Sequence, residues 1–379
     1  MRILVIYYKP FFPINSGDKN VIASHIEELS KFADVDLLCF GSSAESNATL
    51  PGLHNYIYLR YSNLQKLISL LRYFSWKKPL QCALYSLPVV RKWIKEHSCE
   101  YDIIYPHFFR SFTLVENLHT RIILHLHDAL SLNYSRAIRT NISFWRQLIY
   151  RYEIPRLKKY EISCIHHAEH TFTVSTSDKT YFVANGAEQK KISHIPITVS
   201  THLFTTNKPI KPKQICFFGN MSYIANSDAV EWFVNEVFPH LPDDITFEII
   251  GSSPPERIEK LASPRITVTG FVENPYELIA ESALMVAPLR IASGVQVKIL
   301  EAMALGKPIV ASTVCTQALN AENGKHFLLA DTPEDFVTKI TSLLTAPNNA
   351  KIIGDNARTF CAQHHTVLDI RPYFLQHRE

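Results

Sequence analysis

Glycine is scarce, at 11 of 379 residues, which excludes a collagen-like or low-complexity chain. The seven cysteines (Cys39, Cys82, Cys99, Cys164, Cys216, Cys315, Cys361) contain no C-x-x-C pair. An odd, scattered set reads as reduced cytosolic thiols and not as a disulfide framework or a zinc site. No run reaches the ~18 apolar residues of a membrane span. The opening MRILVIYYKP has an apolar core too short for a secretory signal. The expectation is therefore a soluble cytoplasmic chain, associated at most with the cytoplasmic face of a membrane. Charge of one sign is also missing: 39 Lys and Arg against 35 Asp and Glu gives +4, no argument for nucleic acid. There is no G-x-G-x-x-G after the first apolar run, which disfavours a dinucleotide oxidoreductase, and no G-x-S-x-G to support a hydrolase. Asp34-Val35-Asp36 has the form of a metal motif, but it leads into VDLLCF and reads as the start of a strand. No metal and no resident cofactor are expected.

What is present is a repeated α/β pattern. The chain is 46% hydrophobic and long enough for two domains. Strand-length apolar runs at 3–8, 35–40, 101–106, 121–126 and 171–175 alternate with helix-period segments. After the polar stretch TTNKPIKPKQ (205–214), new runs follow at 215–219, 247–250, 266–271, 284–289, 308–312 and 326–330. Helices are predicted near 226–238, 295–305 and 333–345. Such alternation predicts two doubly wound, Rossmann-like parallel-sheet domains, 1–205 and 206–353, with a last helical segment, 354–379, beyond them. Ligands of such sheets bind at the carboxyl ends of the strands, so the crevice between the two halves is the expected site.

Residues 60–97 carry Arg60, Lys66, Arg72, Lys77, Lys78, Arg91, Lys92 and Lys95 against one acid, Glu96. The stretch 136–159 adds seven more basic residues, Arg136 among them. Two readings stay open: solvated basic helix faces, or attraction to an anionic membrane surface or a pyrophosphate-linked lipid.

The segment LMVAPLRIASGVQVKILEAMALGKPIVAST (284–313) carries the most chemistry. Its first strand ends at Leu289, Arg290 follows, and Ser293-Gly294 is expected to open a helix bearing Lys298 and Glu301. Backbone N–H groups at a helix start, with a glycine allowing close approach, suit a phosphate. Lys298 lies about one turn from Gly294, and with Arg290 it is placed to clamp a diphosphate. Glu301, a further turn along, is placed to accept two ribose hydroxyls. The alternative is that Lys298 and Glu301 make an ordinary i,i+3 surface pair.

These residues, with FFGNMSY (217–223), EIIGSSP (248–254) and TGFVENP (269–275), resemble the retaining glycosyltransferases of family 4, of the bacterial surface-polysaccharide type, which have the GT-B fold. The resemblance spans nearly the whole C-terminal half and is weaker before it, where PFFPINSGDKN (10–20) and HLHDALSLNYSR (125–136) carry it. It implies a nucleoside-diphosphate sugar on the C-terminal half, with Glu301 on the ribose and Arg290, Lys298, Gly294 and Val295 at the diphosphate. Gly219, Asn220, Gly251, Phe271 and Val272 would line the donor site. It also implies a final helix that crosses back to the N-terminal domain, a saccharide or lipid-linked saccharide acceptor on that domain, and no metal.

Two departures stand out. The family's first motif Glu falls on Ser293, and the basic residues expected after the first C-terminal strand are absent from GNMSYIANSD (219–228). Arg290 and Lys298 would then carry the phosphate charge alone. In the N-terminal half, His127 follows a strand where the family often places a His beside the sugar; it is the third expected catalytic group. Its alternative is a strand cap. Gly17 is expected to let a loop approach the donor, or to be only a turn residue, while Asn15, Asp18, Asp128 and Arg136 are expected on the acceptor side. Two other functions stay open: a non-catalytic nucleotide-sugar-binding subunit, suggested by Ser293, and a nucleotide-sugar epimerase.

Overall fold

The computed structural model describes residues 1–14, 16–43, 49–138, 144–291 and 294–375. It has two compact units, one formed by residues 1–195 together with the chain from Leu368, the other by Pro196–Val367.

Among the described residues, the first unit has seven strands: β1 (Arg2–Tyr7), β2 (Asp34–Gly41), β3 (Asn55–Arg60), β4 (Ile103–Pro106), β5 (Arg121–His127), β6 (His170–Thr173) and β7 (Ile192–His194). All pairings are parallel, in the order β3-β2-β1-β4-β5-β6-β7. Parallel strands are covered on both faces, so they read as unbroken apolar runs, and Ile3 to Tyr7 are fully buried. β3 escapes sequence reading for the converse reason: it is an edge strand whose residues are exposed or half-buried. The Asp34-Val35-Asp36 motif is structural. Asp36 is buried and accepts hydrogen bonds from Tyr101 Oη (2.8 Å), Asn55 Nδ2 (3.0 Å) and Arg2 Nη2 (3.1 Å).

The second unit has β8 (Lys211–Phe218), β9 (Thr246–Ile250), β10 (Ile266–Gly270), β11 (Ser282–Ala287), β12 (Ile309–Ala311) and β13 (Leu328–Leu329), parallel and ordered β10-β9-β8-β11-β12-β13. In each sheet the order reverses once, beside β1 and β4 in the first and beside β8 and β11 in the second. Connections leave in opposite directions there and open a crevice above the carboxyl ends.

The division falls at 195/196 and 367/368, not at 205/206 and 353/354. Residues 196–204 are already part of the second unit: Val199 N–H donates to His365 O (2.8 Å), and His365 Nδ1 lies 2.8 Å from Ile197 O. The Pro- and Lys-containing stretch expected to link the domains runs straight into β8 at Lys211. The helix Pro347–His364 also stays with the second unit, packed on the helix Val297–Ala304. Only the end of the chain joins the first unit. There Arg121 donates to the carbonyls of Phe374 (2.9 Å) and Tyr373 (2.7 Å), and Phe374 is buried against Tyr105.

Candidate functional site

In the first unit the polar groups gather at the β1/β4 switch point. His107 directly follows β4 and His127 ends β5. The β5–β6 register shifts between His125 and His127, and His127 sits at φ +64°, a left-handed conformation uncommon for a residue with a side chain. This irregularity turns the imidazole onto two supports. One face stacks on Phe108 with ring centroids 4.0 Å apart, and Nε2 lies 2.9 Å from His107 Nδ1. Phe108 is itself left-handed, at φ +66°. The His127 backbone N–H donates to His125 Nδ1 (3.1 Å), which leaves the His125 proton on Nε2. Burial lowers His127 to a pKa of about 3 and drives His107 and His125 well below the ordinary value, so the cluster is neutral. Neutral imidazoles in this contact share one proton per hydrogen bond.

Asp18 sits near this cluster, on the first turn of the helix Gly17–Leu29, and accepts from Tyr7 Oη (2.6 Å). Burial alone would raise its pKa, but hydrogen bonds from Ser16 and Tyr7 and the charge of Lys9 hold it below the usual range. Asp128 behaves oppositely: burial, then the charge of Asp178, lifts it to about 6, although Asn133 donates to it at 2.5 Å.

In the second unit the corresponding point is built on glycine. After β8 the chain turns through Gly219 and Asn220; the Asn220 side chain accepts from Ser222 N (2.9 Å) and its carbonyl from Asn226 Nδ2 (2.8 Å). Gly251, at the end of β9, passes so close that a Cβ there would meet Gly219 O at 1.8 Å. Lys298 lies on the first turn of the helix Val297–Ala304, its Nζ hydrogen-bonded to Asn226 Oδ1 and 4.6 Å above the Phe217 ring. A Cβ on Gly219 would lie 2.9 Å from that Nζ, so the ammonium sits against bare backbone. Burial lowers Lys298 to a pKa of about 8, with Cys315 and Glu301 acting the other way. Glu301, buried one turn on, accepts from Tyr276 Oη (2.8 Å), and its pKa is raised by burial. Lys298 and Glu301 thus turn to separate partners instead of pairing on the surface.

Residues 212–346 match the model of the family described as glycosyl transferases group 1. The whole chain is similar in structure to sucrose-phosphate synthase from Thermosynechococcus elongatus, at 15% identity, TM-score 0.74, covering 97% of this chain and 95% of that one. HepE from Anabaena in complex with UDP-glucose gives 15% identity and TM-score 0.68, covering 97% and 96%. WaaG, a glycosyltransferase involved in lipopolysaccharide biosynthesis, gives 14%, TM-score 0.68, covering 95% of each chain. A sequence comparison with curated proteins gives no match.

The chain has the GT-B fold, with a group 1 glycosyl transferase match over residues 212–346.

Several expected site residues fall at the two switch points: Asp18 and His127 in the first unit, Gly219, Asn220, Gly251 and Lys298 in the second. Ser293 and Asn15 lie outside the described residues. The helix expected to open at Ser293-Gly294 starts at Val297, so Gly294 (φ +63°) and Val295 belong to the loop before it. Arg290 is exposed and engaged by Asp228, Nε to Oδ2 at 3.0 Å, so it is not an uncommitted clamp. Phe271, at 79% exposure, and Val272 follow β10 on the outer side of β9. Gly17 opens its helix after Ser16, Asp128 immediately follows β5, and Arg136 is exposed near the end of the helix Leu130–Ala137.

Sequence reading missed His107, Phe108, Asn226, Asp228 and Tyr276. His107 had a signal: it follows the apolar run 101–106 as His127 follows the run 121–126. Asn226 and Asp228 had none, because their partners stand 62 to 72 residues away in sequence.

Among the described residues, one group, His107, His125 and His127, offers three nitrogens within 4.8 Å of one another, close enough for a cation. His107 Nδ1 and His127 Nε2 hold each other and His125 Nδ1 holds the His127 backbone, while His107 Nε2 and His125 Nε2 are buried without a hydrogen-bond partner.

Proposed function

We propose that this protein is a glycosyltransferase that moves a sugar, with retention and without a metal ion, from a nucleoside-diphosphate sugar to a saccharide or lipid-linked saccharide acceptor in surface-polysaccharide synthesis. The observation that carries the reading is Lys298: a half-buried ammonium laid against the Gly219 backbone at the β8/β11 switch point, with Glu301 one turn along. A diphosphate placed there would meet a cation already desolvated, where a charge-assisted contact is strong. As the glycosidic bond breaks, negative charge grows on the leaving diphosphate, and Lys298 stabilises the transition state more than the bound donor. Glu301, oriented by Tyr276, is assigned to the ribose hydroxyls. Arg290 adds charge only after leaving Asp228. His127, neutral and fixed by Phe108 and His107, is assigned to orient sugar hydroxyls. Structures of HepE contain UDP and UDP-glucose, which makes uridine nucleotides the first donors to try.

The test is thermal unfolding against a panel of nucleoside diphosphates, with Lys298→Ala beside the wild type. A ligand at ~100 times its Kd adds about 2.7 kcal/mol. One diphosphate should stabilise the wild type and not the variant; a panel without effect would refute the donor site. Retention is then read from the anomeric configuration of the product by NMR, and an inverted product would contradict it.

A further inference from the structure

The helix Asn63–Tyr73 is inside out. It is well formed, with a capping box in which Gln65 N–H donates to Ser62 Oγ (3.2 Å) and Ser62 N–H to Gln65 Oε1 (2.8 Å). Yet the one residue it buries fully is Ser69, whose hydroxyl donates to Ala83 O (2.8 Å). Leu64, Leu67, Ile68 and Leu71 have the i, i+3, i+4, i+7 spacing of a core-facing stripe, but they are 65%, 53%, 45% and 76% exposed. A solvated basic helix would show the reverse.

The apolar face continues onto a second element. The chain leaves the helix through Phe74 and Trp76, the latter 71% exposed. Trp76 meets the long helix Phe144–His167: its carbonyl accepts from Arg156 Nε (2.8 Å), and its ring lies 6.5 Å from that of Tyr152. The first turns of that helix expose Phe144, Trp145, Leu148 and Ile149. These two places hold half of the exposed large apolar side chains among the described residues. Exposed apolar side chains concentrated in this way mark an interaction site.

Charge selects the occupant. Between Arg60 and Lys95 there are eight basic residues and no acid, and between Phe144 and Tyr152 Arg146 and Arg151 have no acid beside them. Exposed Leu, Phe and Trp with Lys and Arg around them are the composition of an interfacial helix, which sinks its apolar side below the headgroups and keeps its cations among the phosphates. We propose that the exposed faces of Asn63–Trp76 and Phe144–Ile149 form one docking surface for an anionic lipid bilayer. The proposal does not rest on the transfer reaction, because none of these residues belongs to the donor site.

The experiment is co-sedimentation of the full chain with vesicles of phosphatidylcholine alone or mixed with phosphatidylglycerol. The wild type should bind the mixed vesicles and bind the neutral ones more weakly. Leu67→Glu with Leu71→Glu, and separately Trp76→Glu, should each cut vesicle partitioning by about tenfold or more, a 1.4 kcal/mol step. Arg72→Gln with Lys77→Gln should remove most of the preference for anionic lipid. Leu67, Leu71, Arg72, Trp76 and Lys77 are all exposed, so unfolding temperature should stay at the wild-type value and confirms that each variant is folded. Loss of donor binding with vesicle binding intact would sink the transfer reading and leave this one standing. Three results would overturn the proposal: a wild type that does not sediment with anionic vesicles at low salt, Glu variants that sediment like the wild type, or wild-type dimers in light scattering that the same substitutions convert to monomers, which would make the occupant a second copy.

Discussion

His107 Nδ1 and His127 Nε2 stand 2.9 Å apart at the ends of neighbouring strands, and the contact fixes the plane and the proton of His127. In His107→Ala this support is gone while His127 keeps its Phe108 stacking. The expected outcome is a fall in kcat of about tenfold to a hundredfold with the donor KM little changed, the size seen when a positioned proton-transfer or hydrogen-bonding group is misoriented. His107→Asn puts an amide near the Nδ1 position and should recover part of the loss. Steady-state kinetics on the two variants decides it; equal losses in both would reduce His107 to a packing residue.

The Lys298 ammonium gives a signed pH dependence. Its pKa, about 8 in the empty protein, lies below the unfolded value of about 10.4, so the unfolded chain binds more protons between those limits. This group therefore favours folding increasingly as pH rises through that window. Donor binding runs the other way. Above about pH 8 the empty site is largely neutral, and a diphosphate must draw a proton back onto Lys298. Nucleoside-diphosphate affinity should fall as pH rises past 8, with proton uptake visible in calorimetry as a dependence on buffer ionisation enthalpy. Binding that is pH-independent from about 7 to 9.5 would remove Lys298 from the diphosphate.

Asp228 holds the Arg290 guanidinium that the proposed diphosphate contact requires. Asp228→Ala frees the guanidinium, and nucleoside-diphosphate affinity should rise about two- to fivefold, an exposed ion pair contributing about 1 kcal/mol or less. Arg290→Ala should weaken transfer less than Lys298→Ala, whose expected loss is on the order of 10²–10³ in rate. The reverse ranking in kcat/KM would mean that Arg290 swings off Asp228 fully in the bound state.

Gly251 and Gly270 separate close approach from backbone conformation. Gly251 is at φ +150° and a Cβ would collide with Gly219 O, whereas Gly270 is at φ +67° with nothing within 4 Å of a Cβ. Gly270→Ala should cost only the left-handed penalty, about 1–2 kcal/mol. Gly251→Ala should cost more and also displace the turn that Lys298 rests on, lowering both unfolding temperature and donor affinity. Paired thermal and binding measurements check this, and equal destabilisation by the two substitutions would contradict the contact.

The histidine cluster bears on metal dependence. His107 Nδ1 and His127 Nε2 are committed to each other and His125 Nδ1 to backbone, so two of its three rings would have to give up a contact to bind an ion through those atoms. On the metal-free reading, dialysis against a chelator should leave the transfer rate unchanged and elemental analysis should find less than one metal ion per chain. A stoichiometric metal lost together with activity would reverse that assignment.

The positions of most strands along the chain, and the loops that follow them, were legible because buried parallel strands write themselves as apolar runs and their carboxyl ends follow at once. Gly219, Gly251 and Lys298 could be located that way. Edge strand β3 was not, since half its side chains face water and no run forms. The partners of the key groups were harder still. Asp228 ties Arg290, Asn226 ties Lys298 and Tyr276 ties Glu301 across 62, 72 and 25 residues, and no local pattern encodes such meetings. The domain boundary misled for a different reason. Pro and Lys in 205–214 resemble a linker, but Lys211 and Pro212 lie on exposed positions at the start of β8, where neither disturbs the core. The exposed leucines of Asn63–Tyr73 carried a perfect core-facing period, and only solvent accessibility shows that they face outward.

The ends of the chain meet in one sheet unit: Phe374 packs on Tyr105 and Arg121 grips the last helix by its carbonyls. Synthesis order then matters. The ribosome releases residues 1–195 long before it makes the residues that complete their core, while Pro196–Val367 is one uninterrupted segment. During translation the second unit has all its own residues before the first unit has its last ones.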